Sequence, residues 1–224
     1  MKINAIITGS TGMVGKGVLL ECLDHPDVES VLVINRKPVG IEHDKLKEII
    51  QNDFYDLTNI EDQLKGYNAC FFCLGVSAFR MSEAGYTRIT YDLTLNFAGT
   101  VLNLNPDMTF CYVSGLGTDG TEKGRTMWAR VKGKTENDLL SMAFQSSYMF
   151  RPGYIQPMKG IRSSTKLYNT MYAIFKPLYP ILKTLTPNGV TSTTQVGKAM
   201  INIIKVGYDN KILSNKDVNI LAAK

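Results

Sequence analysis

The chain has 224 residues, of which 44% are hydrophobic, 20% charged and 9% aromatic. This length predicts one domain over residues 1–224, and the ordinary composition excludes collagen-like, coiled-coil and wholly disordered chains. The 25 Lys and Arg residues outnumber the 20 Asp and Glu residues. This excess is too mild and too dispersed to predict a nucleic-acid partner, although it suits an anionic small ligand.

The cysteines and the N-terminus predict the compartment. The 4 cysteines, at positions 22, 70, 73 and 111, lie in or beside apolar segments without the spacing of a disulfide framework. Met1 and Lys2 lead directly into a strand pattern, without the apolar stretch of a signal peptide. Reduced thiols and a cytoplasmic location are therefore expected. Cys70 and Cys73 form a C-x-x-C, but residues three apart in a strand point to opposite faces, so we expect no metal or redox site.

Short β-branched or aromatic runs alternate with longer segments of helical spacing, which is the pattern of βαβ units. Several runs are apolar almost throughout, as in a sheet covered by helices on both faces. The sequence therefore predicts an α/β fold with a doubly wound parallel sheet, the Rossmann fold. The predicted strands are Ile3–Thr8, Val31–Asn35, Lys47–Gln51, Ala69–Gly75, Thr109–Ser114, Ser147–Arg151 and Lys211–Leu213. The predicted helices are Met13–Leu23, Ile60–Leu64, Ser82–Asn103, Met127–Met142 and Gln195–Lys205.

A glycine-rich turn, I-I-T-G-S-T-G-M-V-G-K-G, joins the first strand to the first helix. Gly9, Gly12 and Gly15 have the spacing that permits a tight turn, close approach of backbone to a pyrophosphate, and close packing of helix on strand. The N–H groups and dipole at that helix start favour a dinucleotide diphosphate. Glycines also occur in turns without a ligand, but the position of this turn favours the nucleotide. The predicted cofactor contacts here are Gly9, Ser10, Thr11, Gly12, Met13, Val14 and Gly15.

The second strand ends in Asn35, Arg36 and Lys37, where an NAD enzyme usually has an Asp or Glu against the ribose hydroxyls. A carboxylate would repel a ribose phosphate, whereas a guanidinium can hold it through two hydrogen bonds. The sequence therefore predicts NADP rather than NAD as the cofactor. The alternative is that both cations are solvated turn residues. Further contacts are predicted at the ends of the next two strands, from Asp53 to the adenine and from Leu74, Gly75 and Val76 to a ribose.

Five motifs in order resemble the atypical short-chain dehydrogenase/reductases. They are T-G-x-x-G-x-x-G at the first turn, C-L-G after the fourth strand, Y-V-S-G after the fifth, W-A-R-V-K-G-K-T-E, and F-R-P-G. The set is most similar to the branch of Tat-interacting oxidoreductase-like proteins and bacterial epimerase-like sequences. This resemblance implies an NAD(P) cofactor and places Arg151, Pro152 and Gly153 beside the nicotinamide and the substrate.

The resemblance also implies a catalytic group of Ser, Tyr and Lys, in which Tyr and Lys lie four apart on one helix face. Lys132 matches the Lys that binds the nicotinamide ribose and lowers the pKa of the Tyr. Ser114 matches the Ser approximately, because the spacing fits Gly115 equally well. Trp128 replaces the Tyr. A phenol can donate and accept a proton, whereas an indole N–H only donates a hydrogen bond, so the usual proton donor is absent.

Two functions remain open on this sequence. The first is an NADP-dependent oxidoreductase acting on a small carbonyl or hydroxyl compound, with Tyr86, Tyr154 or Ser114 in place of the missing phenol. The second is a non-catalytic NADP-sensing or regulatory protein that retains the cofactor site. Trp128 favours the second function, whereas Lys132 and the apolar C-terminal segment favour the first.

Residues 155–190 depart from the strand–helix alternation. Aromatic and aliphatic residues between positions 161 and 185 are interrupted by Lys176, Pro177, Pro180 and Lys183. This pattern predicts a small helical lobe, which would be a substrate lid, the face of a homodimer, or a segment lying on a membrane surface. The prolines prevent one long amphipathic helix, so the membrane interpretation has the least support.

Overall fold

A computed structural model of the chain describes residues 2–161, 184, 186 and 188–224. Most of the predicted C-terminal lobe therefore lies outside the described residues. The strands are β1 Ile3–Thr8, β2 Val28–Asn35, β3 Leu46–Ile50, β4 Ala69–Phe72, β5 Thr109–Val113, β6 Ser146–Phe150, β7 Tyr154–Gln156, β8 Val190–Ser192 and β9 Ile212–Leu213. The α-helices are α1 Met13–Asp24, α2 Glu83–Thr87, α3 Leu93–Leu104, α4 Met127–Ser141, α5 Thr193–Val206 and α6 Asn215–Ala222.

The main sheet has 7 strands in the order β3-β2-β1-β4-β5-β6-β9. Every neighbouring pair in it is parallel. The strand order reverses between β1 and β4, and ligands of such sheets bind at the carboxyl ends of the strands beside that reversal. This arrangement confirms the predicted doubly wound parallel sheet.

Side chains alternate across the sheet into two hydrophobic clusters. In β1, Ile3, Ala5 and Ile7 pack into the cluster that includes α1, α5 and α6. Ile6 points to the opposite face, where α3, α4 and the 3₁₀-helix Thr58–Leu64 cover the sheet. Because helices bury both faces, each central strand is apolar at nearly every position, which is the pattern in the sequence.

The end of β4 differs from the prediction. The strand stops at Phe72 rather than Gly75, so residues 73–75 form a loop at the carboxyl edge of the sheet. Cys70 packs into the cluster under α3, whereas Cys73 packs against the cluster under α1. The two thiols therefore diverge as expected, and the 4 cysteines are free.

The predicted helix Ser82–Asn103 contains a change of helical type. A π-helical turn at Arg88–Asp92 joins α2 to α3. The side chain of Ser82 accepts a hydrogen bond of 3.2 Å from the Gly85 N–H and begins this helix. The short strands β7 and β8 and the helix α6 were not predicted.

The strands β7 and β8 form a separate two-stranded parallel sheet. They border the segment from Pro157 to Gly189, which contains most of the predicted lobe. Gln156 pairs in register with Ser192, the residue that caps α5. The chain is therefore fixed on both sides of that segment.

Gly99 in α3 provides a test of the helical packing. A methyl group at Gly99 would meet open space, whereas one at Gly133 in α4 would overlap the carbonyl oxygen of Asp119. We expect Gly99→Ala to raise the free energy of unfolding by about 0.5–1 kcal/mol, because alanine is the better helix former. We expect Gly133→Ala to lower it by about 1 kcal/mol or more. Urea denaturation measures both, and equal effects would contradict this packing.

Candidate functional site

The glycine-rich turn leaves little space for side chains. Gly9 has φ +68°, and a Cβ there would lie 2.7 Å from the carbonyl oxygen of Cys73 and 2.7 Å from the Leu74 nitrogen. A Cβ on Gly15 would overlap the carbonyl oxygen of Gly9. Glycine at these two positions therefore lets the turn pack directly against the loop after β4 and against α1.

The start of α1 is free of side-chain caps. Gly12 is the N-cap residue, and no side chain accepts a hydrogen bond from the first turn of the helix. The Gly12 N–H donates to the carbonyl oxygen of Gly9 over 2.9 Å, which closes the turn. The next N–H groups of the helix have no intrahelical acceptors and can face an anion.

A cavity of about 560 Å³ opens beside this turn, at the carboxyl edge of the sheet. It joins the glycine-rich turn to the ends of β2, β3 and β4. Of the predicted cofactor contacts, the cavity is lined by Gly9, Thr11, Gly12, Asn35, Arg36, Lys37, Leu74 and Gly75. Ile34, Asn52, Phe54 and Cys73 complete the lining and were not predicted.

Arg36 and Lys37 are the cations of this cavity. Both are exposed, and neither forms a hydrogen bond or an ion pair with any residue that the structure describes. Their charges are consequently available to an anionic ligand.

Asn35 has a different position from its two neighbours. It is buried, and its amide donates to Ser10 Oγ over 2.8 Å and to Glu48 Oε1 over 3.0 Å. Glu48 also accepts from the Val39 N–H over 2.9 Å. The Asn35 side chain thus links the glycine-rich turn to β3.

The loop after β3 brings Asn52 and Phe54, rather than the predicted Asp53, to the cavity. The Asp53 carboxylate accepts a hydrogen bond of 2.8 Å from the Tyr55 N–H. Buried Gln51 donates to the Asp53 carbonyl oxygen over 2.6 Å and so fixes the loop. The other predicted contacts outside the cavity lining are Ser10, Met13, Val14, Gly15, Val76, Lys132, Arg151, Pro152 and Gly153.

Lys132 and Ser114 are in direct contact. Lys132 lies on α4, and its ammonium donates a hydrogen bond to the main-chain carbonyl of Ser114, the residue after β5. Burial lowers the pKa of Lys132 to about 8, while the nearby Glu136 carboxylate opposes this shift. The ammonium therefore loses its proton closer to neutrality than an ordinary lysine.

The Ser114 hydroxyl binds protein groups. It donates to the carboxylate of Glu136 and lies 3.2 Å from the carbonyl oxygen of Phe150. Glu136 is 0% exposed and pairs with Arg151, whose Nε lies 3.0 Å from each carboxylate oxygen. Sequence reasoning missed Glu136, although it follows Lys132 by one helical turn.

Trp128, which the motif predicts to replace a Tyr, lies at the start of α4. It is half-buried, and its ring carbon Cη2 would lie 3.3 Å from a Cβ on Gly117. Tyr86 is buried, which raises its pKa. The Tyr154 hydroxyl donates to Gln156 over 2.8 Å. The structure thus places both alternative phenols in contacts with protein.

Within residues 2–161, 184, 186 and 188–224, no three His, Cys, Asp or Glu residues are grouped as metal ligands. Every helix in the same ranges is too short or too polar to cross a bilayer.

Comparison with known proteins gives two kinds of similarity. The mitochondrial protein FMP52 of Debaryomyces hansenii is 28% identical over 156 residues, which are 67% of this chain and 66% of that protein. HTATIP2 of Rattus norvegicus is 25% identical over 154 residues, which are 68% of this chain and 62% of that protein. Each alignment spans less than two thirds of the relative's length. No protein-family model matches the chain.

Solved structures share the fold. A short-chain dehydrogenase of Burkholderia cenocepacia in complex with NADP has a TM-score of 0.64 and 12% identity, over 98% of this chain and 91% of that one. The Bordetella bronchiseptica enzyme WbmF in complex with NAD+ has a TM-score of 0.66 and 13% identity, over 98% of this chain and 77% of that one.

The chain is thus similar in sequence to FMP52 and HTATIP2, and it shares the fold of the short-chain dehydrogenase structures. These similarities confirm the resemblance stated from the five motifs. The replacement of Tyr by Trp128 stays a prediction from the motif. The cytoplasmic location expected from the cysteines is wrong by this comparison, because the FMP52 relatives are mitochondrial proteins by name.

Proposed function

We propose that this protein binds NADP(H) and acts as an atypical short-chain oxidoreductase on a small carbonyl or hydroxyl compound. The observation that carries the proposal is the single cavity that joins the glycine-rich turn to Arg36 and Lys37. A glycine-rich turn accommodates a diphosphate, and two cations at the end of β2 favour a further phosphate on the adjacent ribose.

The residues present fit such a cofactor. The Cβ atom that Gly9 lacks would lie 2.7 Å from the backbone of Cys73 and Leu74, and that of Gly12 would lie 3.3 Å from the Gly9 carbonyl oxygen, so glycine at these positions preserves the shape of the turn beside the cavity. The uncapped start of α1 supplies N–H donors for phosphate oxygens. When bound, NADPH would supply a hydride for the reduction of a carbonyl compound.

The residues at the ends of β5 and β6 would form the reacting half of the site. Lys132 would hold the nicotinamide ribose through its ammonium, which already lies at the carboxyl edge of the sheet. Ser114 is fixed by its hydrogen bonds to Glu136 and Phe150, so we assign it the support of Lys132 rather than the binding of a substrate carbonyl.

Replacing Arg36 tests the choice of cofactor. We expect Arg36→Ala to weaken NADPH binding by about 30-fold, because a charged hydrogen bond to phosphate contributes about 2 kcal/mol. NADH affinity should change by less than about 2-fold, since NADH has no ribose phosphate for the guanidinium to bind. Isothermal titration calorimetry with both nucleotides measures these affinities.

Lys47→Ala is the matched control, because Lys47 is an exposed cation on the neighbouring β3 and does not line the cavity. It should leave both affinities within about 2-fold. If the wild-type protein binds NADH more tightly than NADPH, Arg36 loses its assigned role. If it binds neither nucleotide, the proposed function is wrong.

A second function is a non-catalytic NADP(H) sensor. The observation in its favour is that the hydroxyls of Ser114 and Tyr154 donate to protein acceptors and Tyr86 is buried, which adds to the predicted replacement of the phenol by Trp128. In a sensor the same cavity would bind the cofactor without turnover. NADPH oxidation in the presence of carbonyl compounds separates the two functions.

A further inference from the structure

Glu136 is a fully buried carboxylate at the end of the motif W-A-R-V-K-G-K-T-E, and the resemblance assigns it no role. It lies on α4 with 0% of its surface exposed. The Arg151 guanidinium, from the end of β6, and the Ser114 hydroxyl, from the end of β5, both donate to it. An isolated buried carboxylate is strongly unfavourable, so these donors offset the cost of removing the Glu136 side chain from water.

A continuous set of contacts connects Glu136 to Lys132. Ser114 uses its hydroxyl for Glu136 and its carbonyl oxygen for the Lys132 ammonium. The Ser114 N–H donates to the Phe150 carbonyl oxygen over 2.9 Å. Each polar group of Ser114 therefore has a partner, and the same residue contacts both Glu136 and the Lys132 ammonium.

Glu136 also acts on Lys132 electrostatically. Glu136 lies one turn after Lys132, and its negative charge favours the ammonium against the effect of burial. The titratable groups that face Glu136 from the neighbouring elements are Arg151 at β6 and Tyr112 in β5. Tyr112 is buried with a raised pKa, so it is neutral at physiological pH and does not offset the carboxylate.

We propose that Glu136 is a positioning residue that keeps Lys132 charged and oriented towards the nicotinamide end of the cofactor site. It would act through Ser114 and through its own charge, without contact to the cofactor. The consequence for cofactor binding rests on the proposed function, whereas the consequence for Lys132 does not.

The test is Glu136→Gln, read first at Lys132 without any cofactor. Reductive ¹³C-methylation of lysines followed by NMR titration gives the lysine pKa values, and the signal that is missing in Lys132→Arg identifies Lys132. We expect Glu136→Gln to lower the pKa of Lys132 by about one unit or more, because it removes an opposite charge from a partly desolvated pair.

The second measurement is the pH dependence of NADPH affinity. The charged form of Lys132 binds the ribose, so affinity is present below its pKa and is lost as pH rises through it. In Glu136→Gln this loss should begin about one pH unit lower than in the wild type. A residue with only a structural role would lower affinity equally at every pH.

Glu83→Gln is the matched control. Glu83 forms an ion pair of 2.7 Å with Arg130, also on α4, but its side chain is 54% exposed. The same change of carboxylate to amide there should move neither the pKa of Lys132 nor the pH profile. A shift as large as that of Glu136→Gln would overturn the proposal.

Glu136→Gln leaves Arg151 buried without its partner and can prevent folding. In that event the double variant Glu136→Gln/Arg151→Gln replaces the ion pair by two neutral amides of similar shape. It should also lower the pKa of Lys132, although by less than Glu136→Gln, because loss of the Arg151 cation opposes the loss of the Glu136 carboxylate. An unchanged Lys132 titration in either folded variant overturns the inference. A lowered pKa in a protein that binds no NADPH supports the positioning of Lys132 and refutes the proposed function.

Discussion

Gly9→Ala is expected to lower NADPH affinity by about 100-fold or more. Gly9 combines φ +68° with a backbone neighbour 2.7 Å from any Cβ. Alanine there must either distort the turn or displace Cys73 and Leu74, and both outcomes move the N–H groups that would bind the diphosphate. Calorimetric titration with NADPH measures the affinity, and urea denaturation reports how much stability is lost with it.

Gly40 provides a close control for this substitution. It also has φ +68°, but nothing lies within 4 Å of the position of its Cβ. Gly40→Ala should therefore lower the free energy of unfolding by about 1 kcal/mol, the conformational cost of alanine at positive φ. It should leave NADPH affinity within about 2-fold of the wild type. If Gly9→Ala binds NADPH as the wild type does, the cofactor does not lie against this turn, and the assignment of the cavity fails.

Trp128→Tyr is expected to raise the rate of NADPH-dependent carbonyl reduction by about 100-fold or more. The substitution places a phenol one helical turn before Lys132, and a positioned general acid contributes about 10²–10⁴-fold to such rates. Tyr is smaller than Trp, so it fits against Gly117 without added crowding. NADPH oxidation against a panel of aldehydes, ketones and quinones measures the effect.

Trp128→Phe is the control, because it removes the indole without adding a hydroxyl. It should not exceed the wild-type rate. Equal turnover by wild type and Trp128→Tyr would mean that another group supplies the proton, and Tyr86, Tyr154 and Ser114 would be substituted first. If only Trp128→Tyr oxidises NADPH with these compounds, the result supports the non-catalytic sensing function for the wild-type protein.

The fold could be predicted from sequence where local patterns suffice. β1 and the turn after it are specified by an apolar run followed by three spaced glycines, and the prediction of Ile3–Thr8 matches the structure. The end of β4 was misplaced because Cys73 and Leu74 are as apolar as the strand itself. The π-turn Arg88–Asp92 has no counterpart in hydrophobic spacing, since its position depends on how α2 and α3 pack against α4.

The cofactor half of the site could likewise be predicted only where a local sequence pattern specifies it. Arg36 and Lys37 were identified because they immediately follow a strand at the expected distance from the glycine-rich turn. Asn52 and Phe54 were missed because the path of their loop depends on hydrogen bonds from Gln51, which no linear pattern encodes. Glu136 was missed for a related reason: its burial depends on Arg151, a residue from another strand.

The small sheet of β7 and β8 fixes both ends of one connection in the chain. Hydrogen bonds between these strands anchor Gln156 to Ser192, so the boundaries of the intervening stretch are set by the framework and not by that stretch itself. Because the entropy of closing a loop grows slowly with its length, a flexible connection of another length between these two strands would cost the framework little. The fold can therefore accept insertions or deletions at this point while the strands beside the cavity keep their positions.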